Sequence, residues 1–227
     1  MFDLVTKIVS IVLLDLILSG DNAVVIALAT RKLDESKRKQ AILIGTGGAI
    51  LMRVVLMLVA IQLLAIPFVK LIGSLLLLYI AYDLIASNGE EEQEIEGKDS
   101  FMAAIRTIII ADLVMSLDNI LAIAGVSADS KALAVFGLAI SIPLIVFGSQ
   151  VILKIMDRFP IVVWIGALLI AYTSGKMFIE DRFAVQTLNQ FVPNLSHTIV
   201  IPLLFCLILV GVYFLMRRTK QAVRVKK

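Results

Sequence analysis

The sequence predicts an all-α polytopic membrane protein with seven transmembrane helices, arranged as two inverted three-helix repeats plus a C-terminal helix. Three observations carry this. Hydrophobic residues make up 60% of the 227 and charged residues 17%, against about 45–50% and about 25% in soluble chains; mean hydropathy reaches +1.00. Apolar runs near the bilayer-spanning length of about 20 residues recur along the chain. A polar motif inside the first run returns inside the fourth.

Taken in order, the runs fall at 5–30, 41–66, 68–87, 101–126, 131–154, 160–179 and 197–216. The connections are mostly short and polar: the basic segment 31–39, a lone Pro67 turn and the acidic stretch 90–96. The longest, 180–196, has room for a surface helix. Ala27-Leu28-Ala29 resembles a signal-peptide cleavage site, but Asp15 and Asp21 interrupt the apolar core such a peptide needs, so the segment reads as a span. The expected organisation is a first repeat over 1–87, an acidic cytoplasmic linker over 88–100 and a second repeat over 101–180. Residues 181–227 supply an external loop, the seventh helix and a basic cytoplasmic tail.

Orientation follows from lysine and arginine. With the first loop inside, the cytoplasmic face collects Arg31, Lys32, Lys37, Arg38, Lys39, Lys98, Lys154 and Arg158, then Arg217, Arg218, Lys220, Arg224, Lys226 and Lys227. The opposite loops hold only Lys70, Lys131 and Arg182. The positive-inside bias therefore puts the N-terminus outside and the C-terminus in the cytoplasm. The same concentration in loops and tail makes the pI near 9.0 no sign of nucleic-acid binding. One cysteine, Cys206, and one histidine, His197, exclude a disulfide framework, thiolate zinc sites and Cys–His catalysis.

The repeat is carried by polar residues in register. Asp15-Leu16-Ile17-Leu18-Ser19-Gly20-Asp21-Asn22 in the first span answers Asp112-Leu113-Val114-Met115-Ser116-Leu117-Asp118-Asn119 in the fourth. Ile72-Gly73-Ser74-Leu75-Leu76 with Tyr79 answers Ile165-Gly166-Ala167-Leu168-Leu169 with Tyr172, and Gly45 answers Gly137. Shared apolar composition does not align two aspartates, a serine and an asparagine. Three spans per repeat invert the second copy, as in many secondary transporters.

Four intramembrane carboxylates, Asp15, Asp21, Asp112 and Asp118, cost roughly 10 kcal/mol on insertion scales. Packing alone would use leucine, so these acids point to an ion or proton path. Asp15, Ser19 and Asn22 share one helix face, while Asp21 lies about 120° from Asp15 on an ideal helix. A break at Ser19-Gly20 would swing Asp21 inward and free carbonyls. Asn119 and Ser116 complete the second set. All these donors are oxygens, which suit Mg²⁺, Ca²⁺ and Mn²⁺ better than Zn²⁺, Cu⁺ or Ni²⁺. The serines and asparagines also read as interhelical hydrogen-bond partners. Arg53, in mid-span two, has Ile145 or a neighbour at the matching place and pairs with a site carboxylate or forms a structural salt bridge. Asp83 and Lys176 occupy matching places near the ends of spans three and six, from which they could snorkel to the interface. Gly45, Gly47, Gly48 and Ala49 read as close helix contact, since no phosphate-loop lysine follows.

The paired motifs, Leu18-Ser19-Gly20-Asp21-Asn22-Ala23 and Met115-Ser116-Leu117-Asp118-Asn119, resemble the TerC family of bacterial integral membrane proteins over about residues 1–180. That family is linked by name to tellurite resistance. The resemblance implies Mn²⁺ export, including supply to metalloenzymes outside the membrane, and implicates Asp15 with Asp21 and Asp112 with Asp118. Many members carry Glu at the first acid of each pair, so Asp15 and Asp112 shorten that ligand. The expected function is a multi-pass secondary transporter of the bacterial plasma membrane that exports Mn²⁺ by alternating access, with proton coupling through the same acids. It has no cofactor, and no nucleophile–base set suggests an enzyme. Its partners are the divalent ion and the bilayer, with a homo-oligomer or a membrane or secretion partner left open. The alternatives are a Ca²⁺ or other divalent-cation/proton exchanger and an assembly partner that supports metal loading of secreted enzymes.

Overall fold

The computed structural model describes residues 12, 20–65, 68–88, 97–126, 131–191 and 199–225. The described residues form eight helices and no strands: α1 (Gly20–Thr30), α2 (Glu35–Ala65), α3 (Val69–Asn88), α4 (Gly97–Val126), α5 (Lys131–Arg158), α6 (Ile161–Phe178), α7 (Arg182–Phe191) and α8 (Val200–Val225). Five contain a stretch long and apolar enough to cross a membrane: Glu35–Leu56, Val69–Ala86, Ser100–Leu117, Ile161–Phe178 and Val200–Arg218. These fall in the second, third, fourth, sixth and seventh predicted runs. Of the first run, α1 gives a shorter, largely apolar helix of 11 residues. The fifth run lies in α5, whose 28 residues reach about 42 Å and include Pro143.

Several helices outlast their apolar runs. α2 starts at Glu35 because its first turns are supported by charge: Lys39 Nζ donates to Glu35 Oε1 at 2.7 Å, four residues apart. α8 continues through the basic segment to Val225, where cations suit the negative end of the helix dipole. The exterior is apolar. Leu43 is 73% exposed, Phe147 68% and Leu207 68%, a surface that water would not tolerate and hydrocarbon would.

The chain divides into two compact units, each discontinuous in sequence. The first gathers α1, α2, α4 and α5. Here α2 packs on α4, α1 packs on α4 and α5, and α2 also touches α5. Glycine sets the α2–α4 approach: a Cβ at Gly45 would stand 2.9 Å from Ile108 Cδ1, and one at Gly48 2.7 Å from Ile109 Cδ1. Gly47, predicted with them, faces open space instead. At one end Leu33, Ala41, Ala104 and Ile105 form an apolar cluster. Arg38 caps the turn after α1, donating from Nη2 to the Arg31 carbonyl (2.8 Å) and from Nε to that of Leu33 (3.2 Å). Arg31 reaches Asp157 at 3.5 Å and the Met156 carbonyl at 3.3 Å.

The second unit contains α3, α6, α7 and α8. Ser174 on α6 donates to the Ser74 carbonyl on α3 at 2.5 Å, both residues fully buried. α6 meets α8 through Phe178 on Phe205 and through Trp164, which lies edge-on to Tyr213. The short helix α7, a strongly amphipathic surface helix such as the 180–196 connection has room for, is capped by Asp181. Its Oδ1 accepts from the N–H of Phe183 (3.0 Å) and Ala184 (3.3 Å), while Oδ2 accepts from that of Leu71 at the start of α3 (3.3 Å). Lys70 and Glu180 add an ion pair at 2.9 Å. Phe68 sits at φ 69°, a left-handed conformation that costs a phenylalanine about 1–3 kcal/mol, and its ring packs edge-on against Phe183 at 4.7 Å.

Backbone approaches closely at Gly175, where a Cβ would meet Pro202 Cα at 2.5 Å. Because the obstacle is backbone, Gly175→Ala is expected to destabilise by about 1–3 kcal/mol. Gly47→Ala, in open helix, should be neutral or stabilise by about 0.5–1 kcal/mol. Thermal unfolding of the two purified variants checks the contrast; equal behaviour would contradict the α6–α8 packing.

Candidate functional site

Within the first unit, four helices converge on a cavity of about 30 Å³, space for about two water molecules. Asn22 comes from α1, Thr46 and Arg53 from α2, Asp112 from α4 and Ile145 from α5. Val25, Ile26, Ala49, Ile50 and Ile108 close the walls with aliphatic groups.

Asp112 is the hub. Its Oδ1 accepts from Asn22 Nδ2 at 2.6 Å and from Arg53 Nη2 at 2.6 Å. Ser116, one turn further along α4, donates from Oγ to Asp112 Oδ2 at 3.3 Å and accepts from Arg53 Nε at 2.9 Å. The guanidinium fork is therefore split between a carboxylate and a hydroxyl. Side-chain exposure is 6% for Arg53 and 13% for Asp112, so the pair is shielded from solvent and its charges see little screening. A carboxylate only accepts, which fixes the Asn22 amide with its nitrogen toward Asp112. Asn22 Oδ1 is left buried without a hydrogen-bond partner, and so is Thr46 Oγ1. Each such orphan costs about 1–3 kcal/mol. Both belong to residues lining the same cavity, 2% and 6% exposed. Two oxygens with unused capacity thus line the same cavity as the Asp112 carboxylate, and hard oxygens of this kind suit a cation.

The structure thus brings together Asn22, Ser116, Asp112 and Arg53 from the sequence-predicted set. Asp21 is next to Asn22 with a buried carboxylate oxygen, but it does not line the cavity. Asp15 and Ser19 lie outside the described residues, as do the expected break at Ser19-Gly20 and the side chains of Asp118 and Asn119. Asp83 and Lys176 belong to the second unit and are exposed there. Among the described residues, no group of three acidic, histidine or cysteine side chains forms a ready metal cluster. Thr46 is the residue that sequence reasoning missed. Its one signal was a lone hydroxyl in an apolar stretch, between Gly45 and Gly47; repeat matching passed over it because the corresponding residue is Leu138.

Comparison with known proteins agrees with the membrane architecture. Residues 3–223 match the integral membrane protein TerC family. The uncharacterized membrane protein YjbE of Bacillus subtilis (strain 168) is 42% identical over 205 residues, covering 88% of this chain and 94% of its own. A second B. subtilis protein, the uncharacterized membrane protein YceF, is 31% identical over 163 residues, 66% of this chain and 62% of its own. The UPF0053 inner membrane protein YgdQ of Escherichia coli (strain K12) is 26% identical over 168 residues, 66% and 70% of the two chains. No solved structure matches. With the family matched over nearly its whole length, the chain belongs to the TerC family of integral membrane proteins.

Proposed function

We propose that this protein is a secondary transporter that exports divalent cations, Mn²⁺ foremost, from the bacterial cytoplasm through an oxygen-lined site near the membrane midplane. The observation that carries the reading is the 2.6 Å bond between Asn22 and Asp112, one from each sequence repeat, at a buried cavity with two further orphan oxygens. Hard oxygen donors match Mn²⁺, Mg²⁺ and Ca²⁺. Membership of the TerC family favours a transporter over an enzyme and Mn²⁺ among these ions.

The paired sequence motifs support an inverted repeat, and in the first unit all four helices touch one another. The Gly45–Gly137 register pairs Arg53 with Ile145, and both line the cavity. Ion pairs between helix ends and neighbouring turns support the topology. Arg31 meets Asp157, joining two connections expected inside, and Lys70 meets Glu180, joining two expected outside.

In liposomes containing only this chain, Mn²⁺ flux is expected to exceed Zn²⁺ flux, and Asp112→Asn should reduce it at least tenfold with expression intact. Asp21→Asn and Asp118→Asn should each do the same, and the double variant should be scarcely worse than either, because groups acting on one ion lose non-additively. Single variants that each remain about half active would mean two independent sites. No flux for any divalent cation would overturn the transporter reading.

A reporter fused after Lys227 should be cytoplasmic and one inserted near Asn189 external. Both on one side would contradict the seven-span topology.

A further inference from the structure

Arg53 is a buried cation placed directly on the carboxylate that the proposed cargo needs. Its Nη2 lies 2.6 Å from Asp112 Oδ1, at hydrogen-bonding range in a poorly screened interior. A divalent ion coordinated by Asp112 would stand within a few ångströms of the guanidinium, and like charges at that range repel strongly. The two cations therefore compete for this carboxylate.

The position matched to Arg53 by the repeat is Ile145, which lines the same cavity as an aliphatic side chain. Arg53 is not held by Asp112 alone: Nε donates to Ser116 Oγ at 2.9 Å, a seat the side chain can keep after releasing the carboxylate. In the same cavity, Asn22 Oδ1 and Thr46 Oγ1 are buried oxygens without hydrogen-bond partners, donors that a metal ion can recruit.

We propose that Arg53 is a tethered competitor of the cargo: its guanidinium and a divalent cation hold Asp112 in turn, with Asn22 and Thr46 joining Asp112 when the cation is bound. This deepens the transport reading and rests on it for the identity of the cargo. A buried carboxylate left without either partner is strongly unfavourable. The exchange keeps Asp112 neutralised in both the loaded and the unloaded carrier, so the unloaded form can reorient.

The test is a Mn²⁺ titration of the purified full chain by calorimetry. Arg53→Met should bind Mn²⁺ about tenfold more tightly than wild type, or about 1.4 kcal/mol. Arg53→Lys, which keeps the charge, should stay near wild type. Adding Asp112→Asn to Arg53→Met should remove the gain. If Arg53→Met does not purify as a folded protein, Arg53→Gln serves, being neutral yet able to donate to Ser116. A folded neutral variant with unchanged or weaker affinity would overturn the proposal. In liposomes the neutral variant should lose net efflux while retaining Mn²⁺/Mn²⁺ exchange; undiminished net efflux would also overturn it. Wild-type flux with an affinity that ignores Arg53 sinks this proposal and leaves transport standing. Tighter binding by the variant in a protein that moves no metal leaves competition standing and sinks transport.

Discussion

A carboxylate taken out of water must be answered, and the first unit is organised around answering Asp112. Removing one partner from a buried ion pair costs about 3–5 kcal/mol, more than a typical side chain contributes by packing. The partners come from three helices: Asn22 from α1, Arg53 from α2 and Ser116 from α4 itself. They meet only if α1 and α2 both lie close against α4. Gly45 and Gly48 suit the second approach, since a Cβ there would crowd the Ile108 or Ile109 side chain. The small residues and the charged cluster are thus parts of one constraint.

The outward face follows from the opposite constraint. Hydrocarbon rewards what water penalises, so leucine and phenylalanine crowd the exterior while serines 74, 116, 149 and 174 are fully buried. Within hydrocarbon, apolar burial gives little drive for helices to associate, which leaves close packing and hydrogen bonds such as Ser174 to the Ser74 carbonyl to hold the second unit together. Asp181 serves a comparable purpose at its edge, answering the first N–H groups of α7 and that of Leu71 with one buried side chain.

Much of this was legible in the sequence because membranes make periodicity and polarity conspicuous. The helical class follows from the apolar runs, and Asn22, Ser116 and Asp112 stand out because a polar residue in such a run demands a reason. Arg53 stood out in the same way, although its partner was not determined by spacing: the two are 59 residues apart, and only tertiary packing joins them. Thr46 was harder to see. A hydroxyl is tolerated in a transmembrane helix by bonding back to its own turn, as Thr30 does to the Ile26 carbonyl. Nothing in sequence tells Thr30 from Thr46, whose oxygen makes no such bond. Helix ends are less legible than apolar runs where charged residues extend the helix past the run, at Glu35 and beyond Arg217. The grouping of α1, α2, α4 and α5 into one unit also lay beyond reading, because contact, not chain order, decides it.

The central claim is that Asn22, Thr46 and Asp112 form a seat for a hard divalent cation. Anomalous diffraction from crystals of the full chain soaked in Mn²⁺ and measured at the manganese edge tests it directly. The account predicts a peak about 2.0–2.6 Å from an Asp112 carboxylate oxygen, the range for oxygen-bound hard divalent cations, with the Arg53 guanidinium moved off that oxygen. A peak confined to the acidic segment 90–96 or to the second unit, with Arg53 still on Asp112, would contradict it.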